Sequence, residues 1–183
     1  SSGFLGPQIL AKHPNIISVG RTVPPKTNPL EHVPCPSLEH LPDVLNTLTF
    51  DKVIMMIGSS NHTVLNKQEP LNVEAIEKNV LPMKKVFSYL RTRKLKKVIT
   101  FSSILLYDKE VMINPVKEHT PLKPYQNDYI FSKYLGEEVA KFHSDVPNIV
   151  VRLTNIYGPT TVLGRPDLVN ELVEGLLFEK KAK

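Results

Sequence analysis

Apolar positions follow two alternating patterns along the chain. The runs NIISVGR, KVIMMI, KKVITFSS and NIVVRLTN are short, unbroken and β-branched, and small or polar residues end them; each reads as a buried strand. Between them, apolar residues recur three and four apart, at Leu38, Leu41, Leu45 and Leu48, and then at Val73, Ile76, Val80, Met83, Val86, Phe87 and Leu90. That spacing marks one face of a helix. Helices are predicted over residues 4–13, 38–48, 71–93, 129–143 and 168–178, with Pro7 tolerated in the first turn of the first. Residues 22–36 hold five prolines and are predicted as loop.

Strands alternating with helices in this way predict an α/β fold with a parallel sheet covered on both faces. Open sheets of this kind bind ligands beyond the carboxyl ends of their strands. The positions singled out are Gly20 and Arg21, Gly58 and Ser59, Ser102 and Ser103, and Thr154 and Asn155, all polar, small or charged.

Composition narrows the function classes. A chain of 183 residues fits one domain or a piece of a larger protein, and 41% hydrophobic with 22% charged residues is a globular balance. The net charge of +5 is too modest to call for nucleic acid. Residues 84–97 carry seven Lys or Arg without the aromatic interleaving of a single-strand binder, so they read as a solvated helix end. Cys35, the only cysteine, excludes an internal disulfide, and VPCPS offers no His or Asp beside it. The mid-chain apolar run VIMMIG falls far below the ~20 residues of a membrane span, and no signal peptide is visible. A cytoplasmic protein without membrane, nucleic-acid or metal partners is expected.

The chemistry concentrates in QNDYIFSKYLGEE, where Tyr129 and Lys133 lie four apart on one helix face. A phenol with a free pKa of ~10 is a poor acid or base at neutral pH. A neighbouring ammonium favours the phenolate, so the pair is a candidate proton-transfer device whose tyrosine pKa is expected to fall. In FSSILLY, Ser102 and Ser103 stand at a strand end, where a hydroxyl can align a substrate oxygen with the phenol. With the glycines of SSGFLG at the start, these parts compose an oxidoreductase site.

Together the segments resemble the extended short-chain dehydrogenase/reductase family, NAD(P)-dependent epimerases, dehydratases and reductases of nucleotide sugars. SSGFLG resembles the end of the family's glycine turn, VITFSSILLY its strand with Ser/Thr, YIFSK its Y-x-x-x-K and VVRLTNIYGP its R-x-x-N-x-Y-G-P, in the family's order. NPVKEHTPLKPYQNDY is similar to its acidic, proline-bearing lead-in to the tyrosine. The resemblance implies a Rossmann-type doubly wound sheet, with residues 1–164 as a dinucleotide-binding domain lacking its first strand. Residues 165–183 would begin a substrate-binding region.

It also implies roles. Gly3, Phe4, Leu5 and Gly6 would approach the cofactor pyrophosphate at a helix N-terminus, and Gly58 would line the cofactor. Ser103 would be the catalytic hydroxyl and a substrate contact, Tyr129 the acid/base, Lys133 the ribose ligand and Asn155 a substrate contact; Asn79 matches an asparagine usual on the preceding helix. A homodimer through the helices 71–93 and 129–143 is expected from the same resemblance.

Two departures sharpen this reading. Where NAD-dependent members commonly end the second strand in Asp, Gly20 and Arg21 stand here, which favours NADP over NAD because a guanidinium can pair with a 2′-phosphate. Ile104 and Leu105 follow Ser103 in place of the Asp-Glu pair of 4,6-dehydratases, which disfavours that elimination. Epimerisation or keto-sugar reduction remains. The alternatives are reduction or oxidation of a non-nucleotide carbonyl, and a cofactor-binding sensor without turnover.

Overall fold

The computed structural model describes residues 5–13, 15–21, 31–58, 73–111 and 115–156. The chain divides into two compact units, one of Ser1–Pro34 with Asn155–Lys183 and the other of Cys35–Thr154. The predicted helix over 168–178 lies outside the described residues.

In the first unit, α1 (Leu5–Lys12) buries Gly6 and Leu10 and holds Pro7 in its first turn, where a missing N–H costs nothing. Strand β1 (Ile17–Gly20) pairs in parallel with β2 (Glu31–Pro34), in register from Ile17 opposite Glu31 to Gly20 opposite Pro34. Strand β2 corrects the expectation of loop throughout 22–36. Among the described residues of that stretch, Glu31–Pro34 are extended, and Pro34 closes the strand at a terminal position, where a ring without N–H disturbs pairing least. Ser18, buried in β1, meets His32 of β2 through Oγ and Nδ1 at 3.2 Å.

The second unit carries the larger sheet. Helix α2 (Leu41–Asn46) is shorter than the predicted 38–48 and begins beside Pro42. Strand β3 (Lys52–Met55) follows, then α3 (Val73–Asn79) and α4 (Leu81–Leu90). The periodicity over 71–93 predicts one helix; the chain makes two, joined at Val80. Pro82 is the reason, since it has no N–H for the turn before it and its ring crowds the carbonyl four residues back. On either side the ladder resumes, from Val80 N to Ile76 O at 2.8 Å and from Lys84 N to Val80 O at 2.9 Å.

Strand β4 (Lys97–Ser103), α5 (Asp128–Phe142) and β5 (Asn148–Leu153) complete the unit. All three strands are parallel in the order β3-β4-β5, as the α/β pattern predicts. Val98 and Met55 on the sheet, Val86, Phe87 and Leu90 on α4, Ala140 on α5 and Val146 form the core. Burying each large side chain there contributes about 1.5–3 kcal/mol. Among the described residues no helix is long and apolar enough to cross a membrane.

At the end of α5, His143 is enclosed to 3% exposure. Its ring stacks on Phe87 with centroids 5.6 Å apart and planes 4° from parallel, and it meets Phe142 edge-on at 5.1 Å. Neither ring nitrogen has a hydrogen-bond partner. Burial pushes its pKa down, Arg91 and Lys84 push the same way, and Asp145 opposes them. The folded protein therefore keeps this imidazole neutral where the unfolded chain begins to protonate it. Stability is fully present above ~6.5 and declines as pH falls from there toward the depressed folded value. Replacing His143→Phe is expected to flatten the melting temperature between about pH 5 and 7, relative to the parent, in calorimetric scans. An unchanged slope would place its origin elsewhere.

Candidate active site

The ends of β4 and α5 meet because the chain between them is stitched at both ends. Ser103, still extended, accepts a hydrogen bond from Leu105 N at 3.2 Å and so caps the 3-10 turn Ile104–Leu106. Tyr107 then bridges to Leu122, Asp108 N donates to Pro121 O at 2.9 Å and Lys123 N to Leu106 O at 2.9 Å. Gln126 Nε2 reaches Lys123 O at 2.8 Å. Next, Asn127 turns the chain into α5: its Oδ1 accepts from Ile130 N at 2.9 Å, an N-cap that fixes the first helical turn. Asp128 follows, its charge favourable at the positive end of the helix dipole. Tyr129 thereby stands in that first turn and Lys133 one turn later.

Side chains lock this geometry from beneath. Ser132 Oγ donates to Tyr129 O at 2.8 Å, and Asn79 Nδ2 of α3 donates to Ser132 Oγ at 2.9 Å; both side chains are buried. Gly136 admits α4 closely, since a Cβ there would stand 3.2 Å from Met83 Sδ.

Lys133 Nζ lies 3.5 Å from Phe101 O and 5.7 Å from the centroid of the Tyr129 ring. Burial pushes this ammonium below its ordinary value. Burial also raises the Tyr129 phenol, and hydrogen bonding with the Ser103 side chain pulls it back only in part. The expectation of a depressed tyrosine pKa is therefore not met in this state. The ammonium faces the ring rather than the hydroxyl, and desolvation of a partly buried phenol acts against the phenolate.

Gly58, just beyond β3, has φ +143°, a backbone region that glycine alone enters easily. A Cβ at this position would come 3.2 Å from Lys133 Nζ and 3.4 Å from Asn79 Oδ1. The structure thus brings Ser103, Tyr129, Lys133, Gly58 and Asn79 together within one unit. Leu5 and Gly6 occupy the first turn of α1, and Arg21 follows β1 with its side chain exposed; these, with Asn155, belong to the other unit. Gly3 and Phe4 lie outside the described residues.

Glu137 and Arg152 are absent from the residues picked by sequence. Arg152 Nε donates to Glu137 Oε1 at 2.8 Å and Arg152 Nη2 to Oε2 at 2.7 Å, a two-pronged pair with the carboxylate almost wholly enclosed. The guanidinium also lies 4.8 Å over the Tyr107 ring and donates to Glu118 O at 3.3 Å. Burial pushes the Glu137 carboxyl up, but Arg152 first and the Ser102 hydroxyl second outweigh it, leaving a net value below the usual range. A signal for the pair was present: an arginine in the apolar strand VVRL needs a partner, and Glu137 lies one turn beyond Lys133 on its face.

The sequence profile of the NAD dependent epimerase/dehydratase family matches residues 7–177. The chain belongs to that family. Among solved structures, it is similar to a UDP-glucose 4-epimerase, with a TM-score of 0.81 and 17% identity over 100% of this chain and 60% of the other. A UDP-glucuronic acid 4-epimerase from Bacillus cereus in complex with NAD gives 0.72 and 17% over 96% and 61%. The Bordetella bronchiseptica enzyme WbmG, also in complex with NAD, gives 0.74 and 19% over 99% and 58%. The chain spans about three fifths of the length of these structures, and identities this low establish the fold. No curated protein matches the sequence.

Gly58 is the site's most sensitive backbone position. Gly58→Ala is expected to cost about 1–3 kcal/mol in denaturant unfolding, because it imposes a strained φ and crowds Lys133. A cost below the error of the measurement would show that neither constraint holds.

Proposed function

We propose that the protein is an NAD(P)-dependent oxidoreductase or isomerase acting on a nucleotide sugar, of the epimerase or keto-sugar reductase type. The observation that carries this reading is the convergence of Ser103, Tyr129 and Lys133 at the carboxyl end of β4, in a chain of the NAD dependent epimerase/dehydratase family. Supporting it, neighbours of the same fold are a UDP-glucose 4-epimerase and a UDP-glucuronic acid 4-epimerase, the latter crystallised with NAD.

A nicotinamide dinucleotide fits the residues present. Gly58 holds open a place that any Cβ would narrow, next to a buried ammonium able to bind ribose hydroxyls. Gly3, Phe4, Leu5 and Gly6 would carry the pyrophosphate at the start of α1, and Gly58 and Lys133 the nicotinamide ribose. The bound cofactor supplies hydride acceptance and return. Arg21 is the reason for a choice of NADP over NAD, and the neighbours crystallised with NAD lend that choice no support. Residues 1–164 would form the dinucleotide-binding domain, with 165–183 opening the substrate-binding region. A homodimer would use the outer surfaces of α3, α4 and α5, where Leu81 and Phe142 are exposed.

In this reading Tyr129 exchanges a proton with a sugar hydroxyl or keto oxygen that Ser103 holds by hydrogen bond, and Asn155 contacts the substrate. Because the phenol of the free protein stands above its ordinary value, it starts as the acid. Base function requires the Lys133 ammonium to be turned toward the hydroxyl, or a bound ligand to replace the lost hydration.

Tyr129→Phe in the full chain is expected to reduce turnover of a UDP-sugar by about 10²–10⁴-fold while cofactor-induced thermal stabilisation persists. Turnover close to the parent would overturn the assignment. Cofactor stabilisation without turnover in the parent, across a broad panel of sugars and carbonyls, would favour a sensor.

A further inference from the structure

The face of β4 turned toward the helices carries Val98, Thr100 and Ser102 at alternate positions. Val98 belongs to the apolar core, and the next two, at 2% and 7% exposure, present hydroxyls where a core strand ordinarily presents methyl groups. Neither Thr100 Oγ1 nor Ser102 Oγ has a hydrogen-bond partner of normal geometry. Buried hydroxyls are nearly always satisfied, and where protein atoms do not reach them ordered water does.

Both residues line one small cavity, with Ser132, Lys133 and Glu137 of α5 and Asn79 of α3 among its other walls. About 20 Å³ of it is open to the centre of a water molecule. One water needs roughly 10–15 Å³, so the space suits a single water. Ser102 lies opposite Arg152 in the β4–β5 register, close enough to the Glu137 carboxylate to help keep it ionised. The titratable and charged groups lining the cavity are Lys133 and Glu137 of α5, backed by the Tyr129 ring beside Lys133 and by Arg152 of β5 paired with Glu137; β4 offers hydroxyls, α3 the neutral Asn79 and α4 the thioether of Met83.

We propose that this cavity is a binding site for one structural water, held by the Thr100 and Ser102 hydroxyls and accepting a hydrogen bond from the Lys133 ammonium. The water and Ser102 then connect that ammonium to the Glu137–Arg152 pair. Thr100 and Ser102 become positioning residues: they touch no substrate, and they hold a partner for a cation that Phe101 O meets only at 3.5 Å. The consequence for catalysis rests on the role proposed above for Lys133, whereas the water site itself does not.

Two measurements on the full chain decide it. A crystal structure at a resolution that shows ordered water is expected to place one within hydrogen-bond distance of Thr100 Oγ1 and Ser102 Oγ; an empty cavity overturns the site. Carbon-13 NMR titration of the Lys133 side chain is expected to show its pKa lower by about one unit in Thr100→Val/Ser102→Ala than in the parent. Thr100→Ser, which keeps its hydroxyl, is expected to titrate like the parent. An identical Lys133 titration in the double variant overturns the positioning role. Near-parent turnover in Tyr129→Phe would sink the proposed enzyme function and leave both of these readouts unaffected. If the double variant does not fold, the water in the parent crystal still decides the site, and Ser102→Ala alone supplies the titration.

Discussion

The grip of Arg152 on Glu137 is the constraint on which the rest of the site depends. Glu137 lies on the inner face of α5, one turn past Lys133, and a carboxylate so enclosed survives as an ion only if its charge is answered. Arg152 answers it with two parallel hydrogen bonds and spends its remaining contacts on the Tyr107 ring and Glu118 O, both in the chain that links β4 to α5. One guanidinium therefore ties a strand, a helix and the connection between them. Removing either partner of such a buried pair costs about 3–5 kcal/mol, since the other is left as an uncompensated charge. The pair's stability is present above the unfolded carboxyl value and is lost as pH falls through the depressed folded one.

With α5 held in this way, burial dominates the chemistry above it. Desolvation acts on Tyr129 and Lys133 in opposite directions, and each shift favours the uncharged form. In the described state the two groups share a face without sharing charge, because the ammonium stands over the ring. Gly58 leaves the ammonium space that a Cβ, 3.2 Å from Nζ, would take.

Much of this was legible in the sequence. Unbroken β-branched runs located β1, β3, β4 and β5, and the Tyr129–Lys133 spacing put both side chains on one face of α5, where the structure has them. The departures have local causes. Pro82 divided a helix whose apolar periodicity runs straight through it, because periodicity reports the buried face and is blind to a missing N–H. Strand β2 lay hidden at the end of a proline-rich stretch because its pairing with β1 depends on a partner distant in sequence. The Glu137–Arg152 pair and the Thr100 hydroxyl escaped, and Ser102 was marked only as a strand-end hydroxyl, because their meaning comes from cross-element contacts. The tyrosine pKa went the other way from expectation because a spacing of four fixes a shared face and leaves open which end of the ring a cation meets.

Arg152 holds in place the half of α5 that carries Tyr129 and Lys133. Native-state amide hydrogen exchange in Arg152→Met, compared with the parent, tests it most directly. Amides of residues 130–137 are expected to lose at least about tenfold more protection than those of α4, equivalent to ~1.4 kcal/mol of local opening. Equal loss in both helices, or no loss in α5, would contradict it.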